Sequence, residues 1–137
     1  MSTVREKVRF VETDMMGVVH HANYFRWFEM GRVEHLRQAG VLLNDILADG
    51  IVFPITDVEC HYQASANFDD YIIIETTLEK ISPVKMVFTY RVIREVDGIV
   101  LANGRTQNVF VDGEGKIVRL PKKYYEKLQV TSDSNKA

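Results

Sequence analysis

Between residues 22 and 39 the chain carries apolar and aromatic side chains around most of a helix's circumference, and no other stretch repeats that pattern. The window contains no proline, Phe25, Phe28, Arg32 and Leu36 recur at helical spacings, and Gly40 stands where a helix stops. Tyr24, Phe25, Trp27, Phe28, Met30, Val33 and Leu36 exceed the single stripe of a helix lying on a surface, so this helix must be wrapped. The wrapping material is present. Residues 4–11, 53–62, 71–81, 84–95 and 99–111 are rich in β-branched and aromatic residues and read as strands.

The turns between these runs favour an antiparallel order. Asp97-Gly98 predicts a two-residue hairpin because both positions tolerate positive φ, Ser82-Pro83 marks the preceding turn, and residues 112–115 end the last long strand. Pro121 suits a first helical position, which places a short helix at 122–128 and a frayed tail at 131–137. The architecture that satisfies these pieces is α+β. One long helix lies in the concave face of a strongly bent antiparallel sheet of about five strands, in a single domain over residues 1–130. An open sheet of this kind exposes strand edges, and pairing with a second copy hides one, so at least a homodimer is expected.

Composition narrows the function classes. A net charge of −2 and a pI near 6.1 give no overall field to attract nucleic acid, and none is expected as a partner. The single cysteine, Cys60, forms no internal disulfide and no metal cluster with four scattered histidines. The first ten residues lack the apolar core of a secretion signal, and no run approaches the ~18 apolar residues of a membrane span. A cytoplasmic protein is expected.

Chemistry concentrates in residues 12–36. Asp14 lies where the first strand gives way to the helix, and Gly17 permits a tight bend between them. The first-turn N–H groups of a helix lack intrahelical partners and sit in a positive field, a setting that can hold a reacting carbonyl. An Asp here is often only a turn former; an ionised carboxylate facing such a carbonyl can also activate water or attack the acyl carbon. His20 and His21 diverge as adjacent residues and do not make the i, i+4 pair of a zinc helix. Asn23 offers a cap and Tyr24 an aromatic wall, while Glu29 and Arg32 are spaced for an ion pair. Serine-hydrolase, P-loop and dinucleotide fingerprints are absent from the sequence.

The run from Asp14 to Tyr24, followed by Phe25-Arg26-Trp27-Phe28-Glu29, resembles the active-site segment of hot-dog-fold acyl-CoA thioesterases of the 4-hydroxybenzoyl-CoA thioesterase type. The resemblance continues through Tyr62, Phe68-Asp69-Asp70, the strands with Phe88 and Tyr90, Gly104 and Thr106, to Arg119-Leu120-Pro121. It implies a hot-dog fold and hydrolysis of an acyl-CoA or acyl carrier protein thioester without a metal or redox cofactor. Asp14 would be the catalytic carboxylate, the backbone N–H at His21 would polarise the thioester carbonyl, and the His21 side chain would assist. Gly17, Val18 and Tyr24 would contact substrate and Lys85 a CoA phosphate. The acyl group would lie between subunits of a dimer or tetramer. Met15-Met16 and His20 depart from the family pattern, which bears on substrate preference. A non-hydrolytic acyl-thioester-binding protein of the same fold, or a dehydratase or hydratase, would instead leave the thiol unreleased.

Overall fold

One helix, α1 (Asn23–Gln38), crosses the concave face of a five-stranded antiparallel sheet in the computed structural model, which describes residues 1–136 and their side chains as far as 132. The strands are β1 (Ser2–Lys7), β2 (Ile55–Tyr62), β3 (Tyr71–Ile81), β4 (Lys85–Arg94) and β5 (Val100–Val109), in the spatial order β1-β3-β4-β5-β2. This is the helix-in-a-bent-sheet arrangement expected from the wrapped helix, and the hot-dog fold that the resemblance implies. A 3-10 turn (Phe10–Glu12) follows β1, α2 (Leu43–Ala48) follows α1, and α3 (Lys122–Lys136) ends the chain.

The period-two alternation of the strands builds the concave face. Ile72, Ile74, Thr76 and Leu78 of β3, and Met86, Phe88, Tyr90 and Val92 of β4, are buried. Against them α1 turns Tyr24, Trp27, Phe28, Gly31, Arg32, His35 and Leu36. Two glycines set how closely helix and sheet approach. A Cβ at Gly31 would overlap Thr76 Oγ1, and a Cβ at Gly104 would overlap the Phe28 ring. With no side chain at Gly104, Phe28 stacks on Tyr90 at 4.3 Å between centroids and 13° between planes. Arg32 is also turned inward and donates from Nη1 to Tyr90 Oη at 3.2 Å, while Tyr90 Oη lies 2.7 Å from Thr106 Oγ1. Glu29 is exposed one turn earlier, so the ion pair suggested by their spacing gives way to a hydrogen bond inside the core.

Several expected boundaries shift. β1 stops at Lys7 because Val8 donates its N–H to the Asp70 carbonyl and the chain then tightens into the 3-10 turn. The β4–β5 hairpin is wider than two residues: Gly98 N–H donates to the Arg94 carbonyl, Asp97 accepts from Ile99 N–H, and Gly98 takes φ of 71°. The expected 122–128 helix continues as α3 to Lys136, so the tail expected from 131 onward is helical through 136; Ala137 lies outside the described residues. Leu128 is fully buried, and the Thr131 hydroxyl donates to the Leu128 carbonyl, which ties this end down. α2 escapes a periodicity reading because six residues show little more than one turn and bury only Ile46.

Among the described residues β2 pairs only with β5, and its inner-facing Val58 and Tyr62 remain 45% and 37% exposed. At the other end of α1, His35 is buried between Ser2 Oγ (3.1 Å from Nδ1) and Thr131 Oγ1 (3.0 Å from Nε2), joining β1, α1 and α3. Burial, reinforced by the nearby N-terminal charge, lowers its pKa from 6.5 to about 4.

Gly104→Ala should lose about 1–3 kcal/mol of stability through displacement of Phe28, measured by urea unfolding. The His35 linkage has a definite sign: below pH 6.5 the unfolded chain takes up a proton that the folded chain resists until about pH 4. Stability therefore falls with pH across that window, and His35→Gln should show a shallower fall in Tm between pH 6.5 and 4 than the unsubstituted protein.

Candidate active site

The stretch after Glu12 doubles back on itself. Thr13 and Val19 form an antiparallel bridge, Asp14 N–H donates to the Val18 carbonyl at 2.9 Å, and Gly17 N–H donates to the Asp14 carbonyl at 3.1 Å. Gly17 takes φ of 76°, a conformation that costs a residue with a Cβ about 1 kcal/mol or more. The turn is anchored from outside, since Val19 N–H donates to the Ala66 carbonyl and Phe68 N–H to the Gly17 carbonyl, both at 2.9 Å. At its start the exposed Asp14 carboxylate divides its labour. Oδ1 accepts from Met16 N–H at 2.8 Å and Val18 N–H at 3.2 Å, whereas Oδ2 accepts from none of the described residues. Asp14 is thus a turn former through one oxygen and keeps the other free.

The entry to α1 is uncapped. Ala22 already has helical φ and ψ of −59° and −25°, and Asn23, within the helix, sends its side-chain amide back to the Glu12 and His20 carbonyls at 3.0 and 3.3 Å. Asn23, Tyr24 and Phe25 N–H groups donate three residues back, and His20 N–H donates to the Glu12 carbonyl. The N–H groups of His21 and Ala22 find no acceptor among the described residues. They sit at the positive end of a 16-residue helix.

Beside this entry lies a cavity of about 190 Å³ lined by Val19, His21, Tyr24, Tyr62 and residues 63–65. The His21 ring stacks on Tyr62 at 3.9 Å and 15°, and Tyr62 Oη donates to the His21 carbonyl at 3.2 Å. Tyr24 meets Tyr62 edge-on at 5.1 Å, and burial pushes the Tyr24 phenol up to about 12, so it stays protonated at neutral pH. His21 and Tyr24 therefore share one pocket, with Gly17, Val18 and Asp14 on the adjoining turn. Lys85 stands apart. It pairs with Val109 while Tyr62 pairs with Ala102 and, through it, Val92, which puts Lys85 seven residues, or about 23 Å of strand, from the pocket's register.

Tyr62 is the site residue that sequence reasoning did not assign. Alternation from Val58 and Cys60 puts it on the concave face, but nothing local says that β2 borders the entry of α1. Around the turn, Met15 and Met16 are almost wholly exposed, and Phe10 and Phe68 meet edge-to-face at 5.6 Å while both stay exposed. Among the described residues no three His, Cys, Asp or Glu side chains cluster as metal ligands, and no helix is long and apolar enough to cross a membrane.

A family model described as the thioesterase-like superfamily matches residues 8–128, spanning the Asp14 turn, α1 and Tyr62. The chain belongs to this superfamily. Acyl-CoA thioesterase YbgC of Haemophilus influenzae is 29% identical over 118 residues, 85% of each chain. Among solved structures, a hypothetical protein from Thermus thermophilus superposes with a TM-score of 0.90 at 36% identity, covering 96% of this chain and 99% of that one. The DHNA-CoA thioesterase from Staphylococcus aureus superposes with a TM-score of 0.89 at 29% identity, covering 99% and 95%. The family expected from residues 14–29 is the one found.

The ring pair at the pocket is directly observable. Tyr62→Ala should remove the ring-current shift of the His21 imidazole protons in NMR spectra, and Tyr62→Phe should retain it.

Proposed function

We propose that this protein hydrolyses acyl-CoA thioesters to a carboxylic acid and free thiol, with Asp14 as the catalytic carboxylate and the backbone N–H of His21 as the donor to the thioester carbonyl. The observation that carries this reading is the pairing of a fixed carboxylate having one free oxygen with unpaired N–H groups at the adjoining helix entry. A thioester carbonyl bound at that N–H becomes more electrophilic. As the acyl carbon turns tetrahedral, its oxygen gains negative charge that the donor and the helix end stabilise, an effect worth roughly 3–4 kcal/mol per oxyanion donor. Oδ2 of Asp14 either draws a proton from a water that adds to the acyl carbon, or attacks that carbon itself to give a mixed anhydride that water then opens; in both routes the C–S bond breaks and the thiolate leaves to be protonated. Water supplies the second carboxylate oxygen in either case, so the route calls on no cofactor.

The names of relatives support acyl-CoA as the substrate class. The thiol half recognised is the pantetheine arm, carried by CoA or by acyl carrier protein. The cavity borders Tyr62 of β2, a strand at the edge of the sheet, and a second copy pairing along that edge gives a homodimer or a tetramer of dimers in this reading. The enzyme works in the cytoplasm in this reading.

Asp14→Asn should lower kcat about 10²–10⁴-fold on a panel of short, medium, long and aromatic acyl-CoAs, followed with a thiol reagent. A folded Asp14→Asn protein with unchanged turnover would refute the assignment. His21→Ala should lose less, because the backbone donor survives. Single-turnover hydrolysis in ¹⁸O-water separates the two carboxylate routes: direct attack followed by opening of the anhydride at the Asp14 carbonyl leaves the label in Asp14, whereas water activated by Asp14 puts the label in the product acid.

A further inference from the structure

Glu12 is a carboxylate only 2% exposed, two residues before Asp14, and the chemistry described above does not use it. Burying such a group is costly unless its acceptors are filled. Both oxygens are engaged: Oε1 accepts from Arg9 N–H at 2.8 Å, with Arg9 Nε at 3.6 Å, and Oε2 accepts from Trp27 Nε1–H at 3.2 Å. Its main-chain carbonyl is engaged twice more, by His20 N–H at 2.9 Å and the Asn23 side-chain amide at 3.0 Å. One residue therefore grips the 3-10 turn before Asp14, the end of the turn that presents it, and the first two helical turns of α1.

We infer that Glu12 is a positioning residue for this site, holding the Asp14 carboxylate in register with the unpaired N–H of His21. The inference rests on the proposed thioesterase reading. The His20 bond closes the base of the loop that carries Asp14, and the Trp27 bond ties that base to the side of α1 facing the core. His21 follows His20 directly, so the distance between catalytic carboxylate and carbonyl donor is set across the Glu12 junction. The buried carboxylate needs to reach nothing that reacts. Its contribution appears in the transition state, where reacting groups tolerate little misplacement, and hardly at all in binding the thioester.

Glu12→Gln tests this with almost no change in volume. A carboxamide offers one acceptor, so it presents an N–H to either Arg9 N–H or Trp27 Nε1–H and cannot hold both. The expected result is a fall in kcat of about 10- to 100-fold with KM kept within about twofold. Trp27 is the sole tryptophan, so a shift in its emission should accompany the substitution. Unchanged kcat in Glu12→Gln, beside an inactive Asp14→Asn, would overturn the positioning role and leave the thioesterase reading intact. Unchanged turnover in Asp14→Asn would overturn both. Equal losses in kcat/KM arising from KM alone would also overturn it. If Glu12→Gln fails to fold, Trp27→Phe removes one bond of the grip and should lower kcat with KM preserved; unchanged kcat there counts against the role.

Discussion

Phe28 fills the space where β5 has no side chain, and the seating of α1 on the sheet follows from that contact. The ring covers Gly104 and stacks on Tyr90, bringing α1 closer to the sheet than any Cβ at that position would allow. Four residues back along the helix, about 6 Å, is Tyr24; two residues back along β5, about 7 Å, is Ala102, the partner of Tyr62. The two displacements match. Seating Phe28 therefore delivers the start of α1 to Tyr62, and with it the His21 ring that stacks there. Gly31 against Thr76 provides a second close approach one turn further on, which fixes the direction of the helix as well as its height.

Two carboxylates two residues apart have opposite surroundings. Glu12 is sealed in, with an N–H for each oxygen, and Asp14 is exposed, with both of its N–H donors on one oxygen. A sealed acceptor is held on both sides, whereas a half-satisfied one in contact with solvent keeps an oxygen open to an incoming group. The backbone divides in the same way. His20 N–H is spent on structure, whereas the N–H groups of His21 and Ala22 have no acceptor among the described residues.

Much of this was legible from residue order. The wrapped helix and the strand runs are long, strongly periodic segments, and there the pattern and the tertiary packing agree. β3 fell on the expected residues, and the other strand ends moved by only a few residues, mostly where a turn bonded differently from its composition. The β4–β5 connection is wider than Asp-Gly suggested because Asp97 also binds Ile99 N–H and Arg94, interactions that dipeptide preferences do not contain. The site was half legible. Asp14 and His21 stand out because they sit beside a turn and a helix entry, both local signals. Tyr62 and Glu12 do not, since their importance lies in partners 41 and 15 residues away. The inward turn of Arg32 was hidden for the same reason: its partner, Tyr90, is 58 residues distant.

Because α1 is at once the core and one wall of the pocket, the molecule has little freedom to alter what it accepts by changing that helix. A substitution at Tyr24, Trp27 or Phe28 that reshaped the pocket would also unseat the fold. The exposed residues at the turn, Met15, Met16, Phe10 and Phe68, carry no such burden. Of these, Met15 and Met16 also lie where the sequence departs from the pattern that its resemblance implies. Evolvability in this protein is thus segregated by position: an unchanged scaffold can acquire new tastes through a few side chains that cost the folded state almost nothing.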